Sequence, residues 1–211
     1  MVSTDASDGH YFDDAPSVAS KPRGIELTLP DVFLELTADS GVFASNAIDK
    51  GTNYLLRSHP PLSSLPTTPK SILDLGCGYG PIALTAAKRA PEAAVWGVDV
   101  NERALALAKA NASANSLDNV HVSHATEMDP KQRFDLIISN PPIRIGKTAL
   151  HELLATWLDR LEPSGRAWMV VQKHLGSDSL AEWMTAQGWE TTRLGSRSGF
   201  RILESLARKS P

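Results

Sequence analysis

The residues with the most chemistry in them are Asn140-Pro-Pro-Ile143. Two consecutive prolines cannot donate ladder hydrogen bonds, so a strand reaching Asn140 must stop there, and the backbone beyond it is stiff. Stiffness is useful if the side-chain oxygen of Asn140 and the carbonyl of Pro141 must converge on one atom. Together they can accept two N–H bonds from an amino group and so aim its nitrogen lone pair at an electrophile. A second candidate is Asp74-Leu-Gly-Cys-Gly-Tyr-Gly80, in which Gly76, Gly78 and Gly80 alternate with other residues and an acid lies inside the motif. Glycines let the backbone approach a ligand closely, and a helix that follows them offers unpaired N–H groups. A third is Asp99, about 20 residues further on, where a carboxylate can accept both hydroxyls of a ribose. The glycine loop and Asp99 suit any nucleotide-type cofactor; the Asn-Pro-Pro turn is the feature that discriminates.

The surrounding pattern supplies elements to hold these groups. Ser71 to Leu75 reads as a buried strand running into the glycine loop, and Pro81 opens a helix at the position where its missing N–H has no partner to lose. Ala94–Val98 is a second strand ending on Asp99, and Asn101 is the N-cap of a helix over Glu102–Ala112. A short strand follows near Val120–Val122, and a fourth, Phe134–Ser139, delivers Asn140. A helix over Thr148–Leu161, a turn at Pro163-Ser-Gly165, a strand at Ala167–Val171 and a helix over Ser179–Gln187 come next. Two runs within Glu190–Ser205, separated by Gly195-Ser-Arg-Ser-Gly199, read as a closing antiparallel hairpin. Alternating strand and helix predict an α/β fold: a Rossmann-like, doubly wound seven-stranded sheet with that C-terminal hairpin. Ahead of it, Gly24–Leu29 and Val32–Leu36 flank a Pro-Asp turn and predict an N-terminal hairpin, followed by a helix over Ser45–Arg57. The chain thus divides into a flexible arm (1–23) carrying the aromatic cluster His10-Tyr-Phe12, a hairpin, helix and Pro/Ser linker (24–69), and the core (70–211).

Composition bounds the function. The formal net charge of -3 sets up no global basic field, although a local patch suffices for a nucleic acid. Cys77 is the only cysteine, which rules out an intrachain disulfide and argues against a cysteine metal cluster; within the loop it reads as a small residue tolerated in a tight turn. The six histidines lack metal-ligand spacing, so no metal site is expected, and the five tryptophans fall in helix and strand patterns that suit core packing. No apolar run approaches membrane-spanning length and the acidic, polar N-terminus is no signal peptide, so a soluble cytoplasmic protein with no membrane partner is expected.

The G-x-G-x-G spacing with Asp74 inside it resembles motif I of the class I S-adenosylmethionine (SAM) dependent methyltransferases, and with Asn140-Pro-Pro142 it resembles their amino-methylating N-P-P class. Gly41-Val-Phe-Ala-Ser45, Asp49-Lys-Gly-Thr52, Asn140-Pro-Pro-Ile-Arg144 and Val171-Gln-Lys-His-Leu-Gly176 narrow this to the methyltransferase small (MTS) domain family, which includes 16S rRNA guanine N2-methyltransferases. The resemblance implies SAM as cofactor and RNA, from the ribosomal small subunit, as substrate. It further implies that Asp74, Gly76, Cys77, Gly78 and Gly80 hold the methionine end of SAM and Asp99 its ribose, with Asn101, Glu127 and Asn140 as further cofactor contacts. Asn140 and Pro141 hold the target amine, with Pro142 and Ile143 completing the catalytic turn. Three departures stand out. Ile143 replaces the aromatic residue often found there; the region of the acid near adenine reads His124-Ala-Thr-Glu127, with Glu127 a candidate for it; and only an arm and hairpin stand where better-known rRNA members carry a degenerate domain. Arg144, Lys147, Arg193, Arg197 and Arg201 form a candidate basic rim for RNA, with Lys173-His174 as a further phosphate contact and Phe43 or Tyr79 as base neighbours. The alternatives are glutamine N-methylation on a protein, a SAM- or RNA-binding module without turnover, and an NAD-linked oxidoreductase, against which G-x-G-x-G and N-P-P argue.

Overall fold

A computed structural model describes residues 18–58, 62, 65 and 67–209. The His10–Phe12 cluster, most of the arm and part of the Pro/Ser linker lie outside them. The order is β1 (Arg23–Thr28), β2 (Phe33–Ala38), α1 (Lys50–Ser58), β3 (Ser71–Leu75), α2 (Pro81–Arg89), β4 (Ala94–Asp99) and α3 (Glu102–Ala114). It continues with β5 (Val120–His124), β6 (Phe134–Ser139), α4 (Lys147–Leu158), β7 (Leu161–Gln172), α5 (Ser177–Ala186), β8 (Thr191–Arg197) and β9 (Phe200–Leu206). Strands β3 to β9 form one seven-stranded sheet in the order β5-β4-β3-β6-β7-β9-β8, with β9 antiparallel to β7 and to β8 and the remaining pairs parallel. The chain winds outward from β3 in one direction and, from β6, in the other. The switch in strand order therefore falls between β3 and β6, where doubly wound sheets bind ligands at their carboxyl ends.

One face of the sheet is covered by α1, α2 and α3 and the other by α4 and α5, giving two separate apolar clusters. Trp168 and Trp189 are fully buried and Trp157 nearly so. The β1–β2 hairpin alternates buried and exposed residues, and its inner face, with Leu27, Leu34 and Leu36, packs into the cluster of α1 to α3. Polar groups fix its register. Asn111 accepts from the Thr37 N–H at 2.8 Å and donates to the carbonyls of Thr37 at 2.9 Å and Tyr79 at 2.8 Å. Asn115, one turn later, accepts from the Glu35 N–H at 3.3 Å and donates to the Glu35 carbonyl at 2.8 Å. Four helical residues rise about 6 Å and two strand residues about 6.6 Å, so amides at i and i+4 on α3 match alternate residues of β2. A helix here completes the hydrogen bonding of a strand edge.

Three of the departures from the expected boundaries have a plain physical reason. Helix α1 starts at Lys50, not Ser45, because the Asp49 side chain accepts from the N–H groups of Gly51 and Thr52 and caps it there. Pro163-Ser-Gly165 does not precede the strand; it lies inside the twelve-residue β7 as a tight irregularity against β6. A Cβ on Gly165 would stand 2.9 Å from the carbonyl oxygens of Glu162 and Phe134, so the backbone folds tightly upon itself there. The β8–β9 turn is shorter than the Gly195–Gly199 span and centres on Ser198 and Gly199, both at positive φ (50° and 82°), the geometry of a two-residue hairpin. Among the described residues no helix is long and apolar enough to cross a membrane.

Candidate active site

The carboxyl ends of β3, β4 and β6 meet at one edge of the sheet and bring Asp74, the glycine loop, Asp99 and Asn140 together. Asp74 is buried; one carboxylate oxygen accepts from the Ala83 N–H in the first turn of α2 at 2.9 Å, while the other is buried without a partner. Burial pushes this carboxyl up to about 8; the Ala83 bond opposes that rise and the Asp99 charge adds to it. Gly76, Gly78 and Gly80 all have positive φ, and a Cβ on Gly76 or Gly78 would meet nothing within 4 Å. Those two backbones therefore face open space, whereas Gly80 is the left-handed N-cap of α2, with Leu84 Cδ1 2.6 Å from where a Cβ would be. Asp99 closes the loop from the far side: one oxygen accepts from the Gly78 N–H at 2.8 Å, the other from Val100 at 2.8 Å and Asn101 at 3.0 Å.

Several expected site residues turn out to have structural duties. Cys77 contributes backbone to the loop, but its side chain packs in a small apolar cluster with Leu105 and Ala108, and burial pushes its thiol well above the ordinary range. Asn101 is buried, accepts from the Ala104 N–H as N-cap and donates to the Gly41 carbonyl, so its amide is engaged at both ends with protein. Tyr79 is buried beneath the loop 39–45, its hydroxyl 3.4 Å from the Ala44 carbonyl; only Phe43 of the two proposed base neighbours is exposed. Glu127 is exposed in the turn after β5. Arg201 is the clearest correction: at 6% exposure it lies inside the protein, paired with Asp178, and belongs to no rim.

At the Asn140-Pro-Pro turn the Pro141 carbonyl accepts from the Ile143 N–H at 2.8 Å, which makes a tight turn with Pro142 at φ -75° and ψ 73°. One lone pair of that carbonyl is thereby used and the other remains. Ile143 is half-buried against the α4–α5 cluster and opens a short 3-10 turn, Ile143–Ile145. The Asn140 amide nitrogen donates to Asp49 Oδ1 at 2.8 Å and Thr52 Oγ1 at 3.0 Å. A carboxylate only accepts, so the amide orientation is chemically determined: the NH₂ faces Asp49, and Oδ1 is left for a donor. Asp49 and Thr52 were not legible as partners of Asn140, since 91 and 88 residues separate them from it. What the sequence did carry was the helix-cap signal of an aspartate just before Lys-Gly-Thr.

Around this centre lie the loop 39–45, the β8–β9 turn and the chain after β7. Arg103 donates to the Ser40 and Val18 carbonyls, and Asp39 accepts from the Ser20 hydroxyl and the N–H groups of Lys21 and Ser40. Burial pushes the Asp39 carboxyl up, yet those bonds and Arg103 outweigh it and hold it below its ordinary value. The Lys173 N–H donates to the Gly199 carbonyl at 2.7 Å, fixing the hairpin turn beside the end of β7.

Known proteins resemble this chain in sequence and fold. The profile of the "Methyltransferase small domain" matches residues 33–204. The chain is 34% identical to "Uncharacterized protein YbxB" of Bacillus subtilis over 93% of its own length and 97% of that protein. It is 31% identical to "Ribosomal RNA small subunit methyltransferase C" of Psychromonas ingrahamii over 73% of its length. It is 35% identical to "Ribosomal RNA large subunit methyltransferase G" of Shewanella putrefaciens over 74% of its length. The chain spans only 44% and 43% of those two enzymes. Among solved structures, the T. thermophilus 16S rRNA N2-guanine methyltransferase (RsmC) in complex with AdoMet and guanosine superposes with a TM-score of 0.74 at 22% identity, over 92% of this chain and 52% of that one. The profile match over most of the chain, on a seven-stranded sheet with Asp74, the glycine loop and Asn140-Pro-Pro at its switch point, places this chain in the methyltransferase small domain family of class I, SAM-dependent methyltransferases.

Proposed function

We propose that the chain transfers the SAM methyl group to an exocyclic amino nitrogen of ribosomal RNA, guanine N2 in the first instance. The observation that carries this reading is the acceptor-only pair at the end of β6: Asn140 Oδ1, with its NH₂ turned away onto Asp49 and Thr52, and the remaining lone pair of the Pro141 carbonyl. Two acceptors suit an –NH₂ group and are wasted on a hydroxyl, which has one hydrogen to give. The relatives named above add support, since two act on ribosomal RNA by name and the structural neighbour holds guanosine.

The residues present fit the cofactor. The orphan oxygen of buried Asp74 suits an ammonium group, and the bare backbones of Gly76 and Gly78 leave the space that a close-lying ligand needs. Asp99 Oδ2, which accepts a single bond from protein, retains capacity for ribose hydroxyls. When bound, SAM supplies a sulfonium methyl with a neutral thioether as leaving group. The amine would take the methyl with its own lone pair while the S–C electron pair stays on the thioether, so all that the nitrogen must lose is a proton, to solvent. The protein therefore mainly positions. Asn140 and Pro141 hold the amine with its lone pair toward the methyl, and their oxygens stabilise the positive charge that grows on nitrogen.

The test is transfer of labelled methyl to separate ribosomal RNA and protein fractions, followed by nucleoside mass spectrometry. N2-methylguanosine is expected, and Asn140→Ala should lose about 100-fold or more in turnover while SAM affinity stays within a few-fold. Wild-type turnover in that variant would reduce the turn to a structural feature. Ile143 favours a second reading, because a base gains no aromatic face from it and a glutamine amide needs none. Label in a protein band would decide for that.

A further inference from the structure

We propose that Asp49 and Thr52 are positioning residues for the transfer, acting through Asn140: they lock its amide with the oxygen toward the methyl acceptor, and the Asp49 charge polarises that amide. This inference rests on nitrogen being the acceptor. An asparagine with no partner for its NH₂ turns either end to a ligand at little cost, and one of those ends repels an N–H donor. Two acceptors behind Asn140, Asp49 Oδ1 at 2.8 Å and Thr52 Oγ1 at 3.0 Å, remove that freedom. The acceptors are themselves fixed. Asp49 Oδ1 is held by the Gly51 and Thr52 N–H groups at 2.8 and 3.0 Å, and the Asp49 carbonyl by the Asn53 N–H at 2.8 Å. Thr52, Leu55 and Leu56 are buried, and the backbone at Gly51 lies so close to the Phe200 ring that a Cβ would stand 2.9 Å from it. The start of α1 is thus wedged against β9, and Asn140 is set from a rigid element rather than from its own loop.

The charge matters as well as the orientation. As nitrogen attacks it becomes positive, and the increase is felt at Asn140 Oδ1. An anionic partner on the NH₂ end pushes electron density toward that oxygen, so the two hydrogen bonds strengthen each other as charge develops. Such a device stabilises the transition state more than the bound substrate, so its loss should appear in kcat rather than in KM.

Asp49→Asn separates the charge from helix capping, because asparagine caps a helix about as well as aspartate and, while it caps, keeps an oxygen toward Asn140 but carries no charge. In the full chain, kcat should fall about 10- to 100-fold, with KM for the methyl acceptor and Kd for SAM each within about threefold. Thr52→Val, which keeps shape and loses the acceptor, should lower kcat by about 3- to 10-fold. In an Asn140→Ala background, Asp49→Asn should cost nothing further, since its route to the substrate is gone. An unchanged kcat in Asp49→Asn, or a full additional loss in the double variant, would overturn the proposal. If Asp49→Asn melts early, Thr52→Val alone decides by the same kcat criterion. Should the wild-type chain label protein instead of RNA, the RNA reading fails, while the same cycle run on that protein still decides this one.

Discussion

Asp74 has a carboxyl that is buried, half-partnered and pushed up to about 8, so without ligand it is mostly protonated at neutral pH. In the folded chain it keeps a proton that the unfolded chain, at 3.8, has lost. Its contribution to stability is therefore full below that value and lost as pH rises through about 8. A bound ammonium reverses the preference by favouring the carboxylate. SAM binding near pH 7 should then release a proton, and affinity should rise with pH as far as about 8. Calorimetry in two buffers of different ionisation enthalpy measures the release, and Asp74→Asn should abolish it. Equal heats in both buffers for the wild-type chain would show that Asp74 does not meet the ammonium. Three backbone N–H groups hold the neighbouring acid, Asp99. Asp99→Ala should weaken SAM and also loosen the glycine loop, with a loss of about 1.5–3 kcal/mol for charged hydrogen bonds.

The elements show how far local pattern reaches. The strand–glycine–helix unit around Asp74, the Asn101 cap and the end of β6 at Asn140 were all legible, because each is written in a few contiguous residues with strong backbone preferences. Asn111 and Asn115 were not: in sequence they are two polar residues late in an alanine-rich helix, and their partners lie on β2, more than 70 residues away. The same holds for Asp49 with Asn140, and for Arg201, whose charge reads as surface until the fold buries it against α5. The α3–β2 clasp has a measurable consequence. Asn111→Ala strands the buried Tyr79 carbonyl, at about 1–3 kcal/mol for a buried group left unpaired, and also frees the part-buried Thr37 N–H and carbonyl. Asn115→Ala, at the more exposed end, should cost well under half as much. Thermal unfolding of the two variants compares them directly. Because the Tyr79 carbonyl belongs to the glycine loop, Asn111→Ala should also weaken SAM binding, whereas Asn115→Ala should not. Equal destabilisation by both would mean that the hairpin is held by its apolar face alone.

At the scale of the whole molecule the question is how a chain of net charge -3 would engage the polyanion that the proposed function requires. Arg144 and Lys147 follow the catalytic turn, Lys173 follows β7, and Arg197 adjoins the β8–β9 turn; all four are exposed. Lys173 and Arg197 flank the start of β9 on either side, at the carboxyl edge of the sheet where the candidate site also lies. Arg193, also exposed, pairs with Leu203 further down the hairpin, away from that edge. A local basic rim can thus act on RNA even though the summed field does not attract it. Removing one cation that neutralises a phosphate should lower the log–log salt slope of binding by about 0.7–0.9. We expect Arg144→Glu with Arg197→Glu to reduce RNA methylation and flatten that slope while SAM affinity persists, with Arg193→Glu having a smaller effect. Arg201→Glu serves as the contrast. It would set a buried carboxylate against Asp178, so it should lower thermal stability and SAM binding together rather than act on RNA. If the rim reversals leave RNA methylation unchanged at every salt concentration, RNA does not cross this edge, and a protein glutamine, which needs neither the rim nor an aromatic face at Ile143, becomes the better substrate.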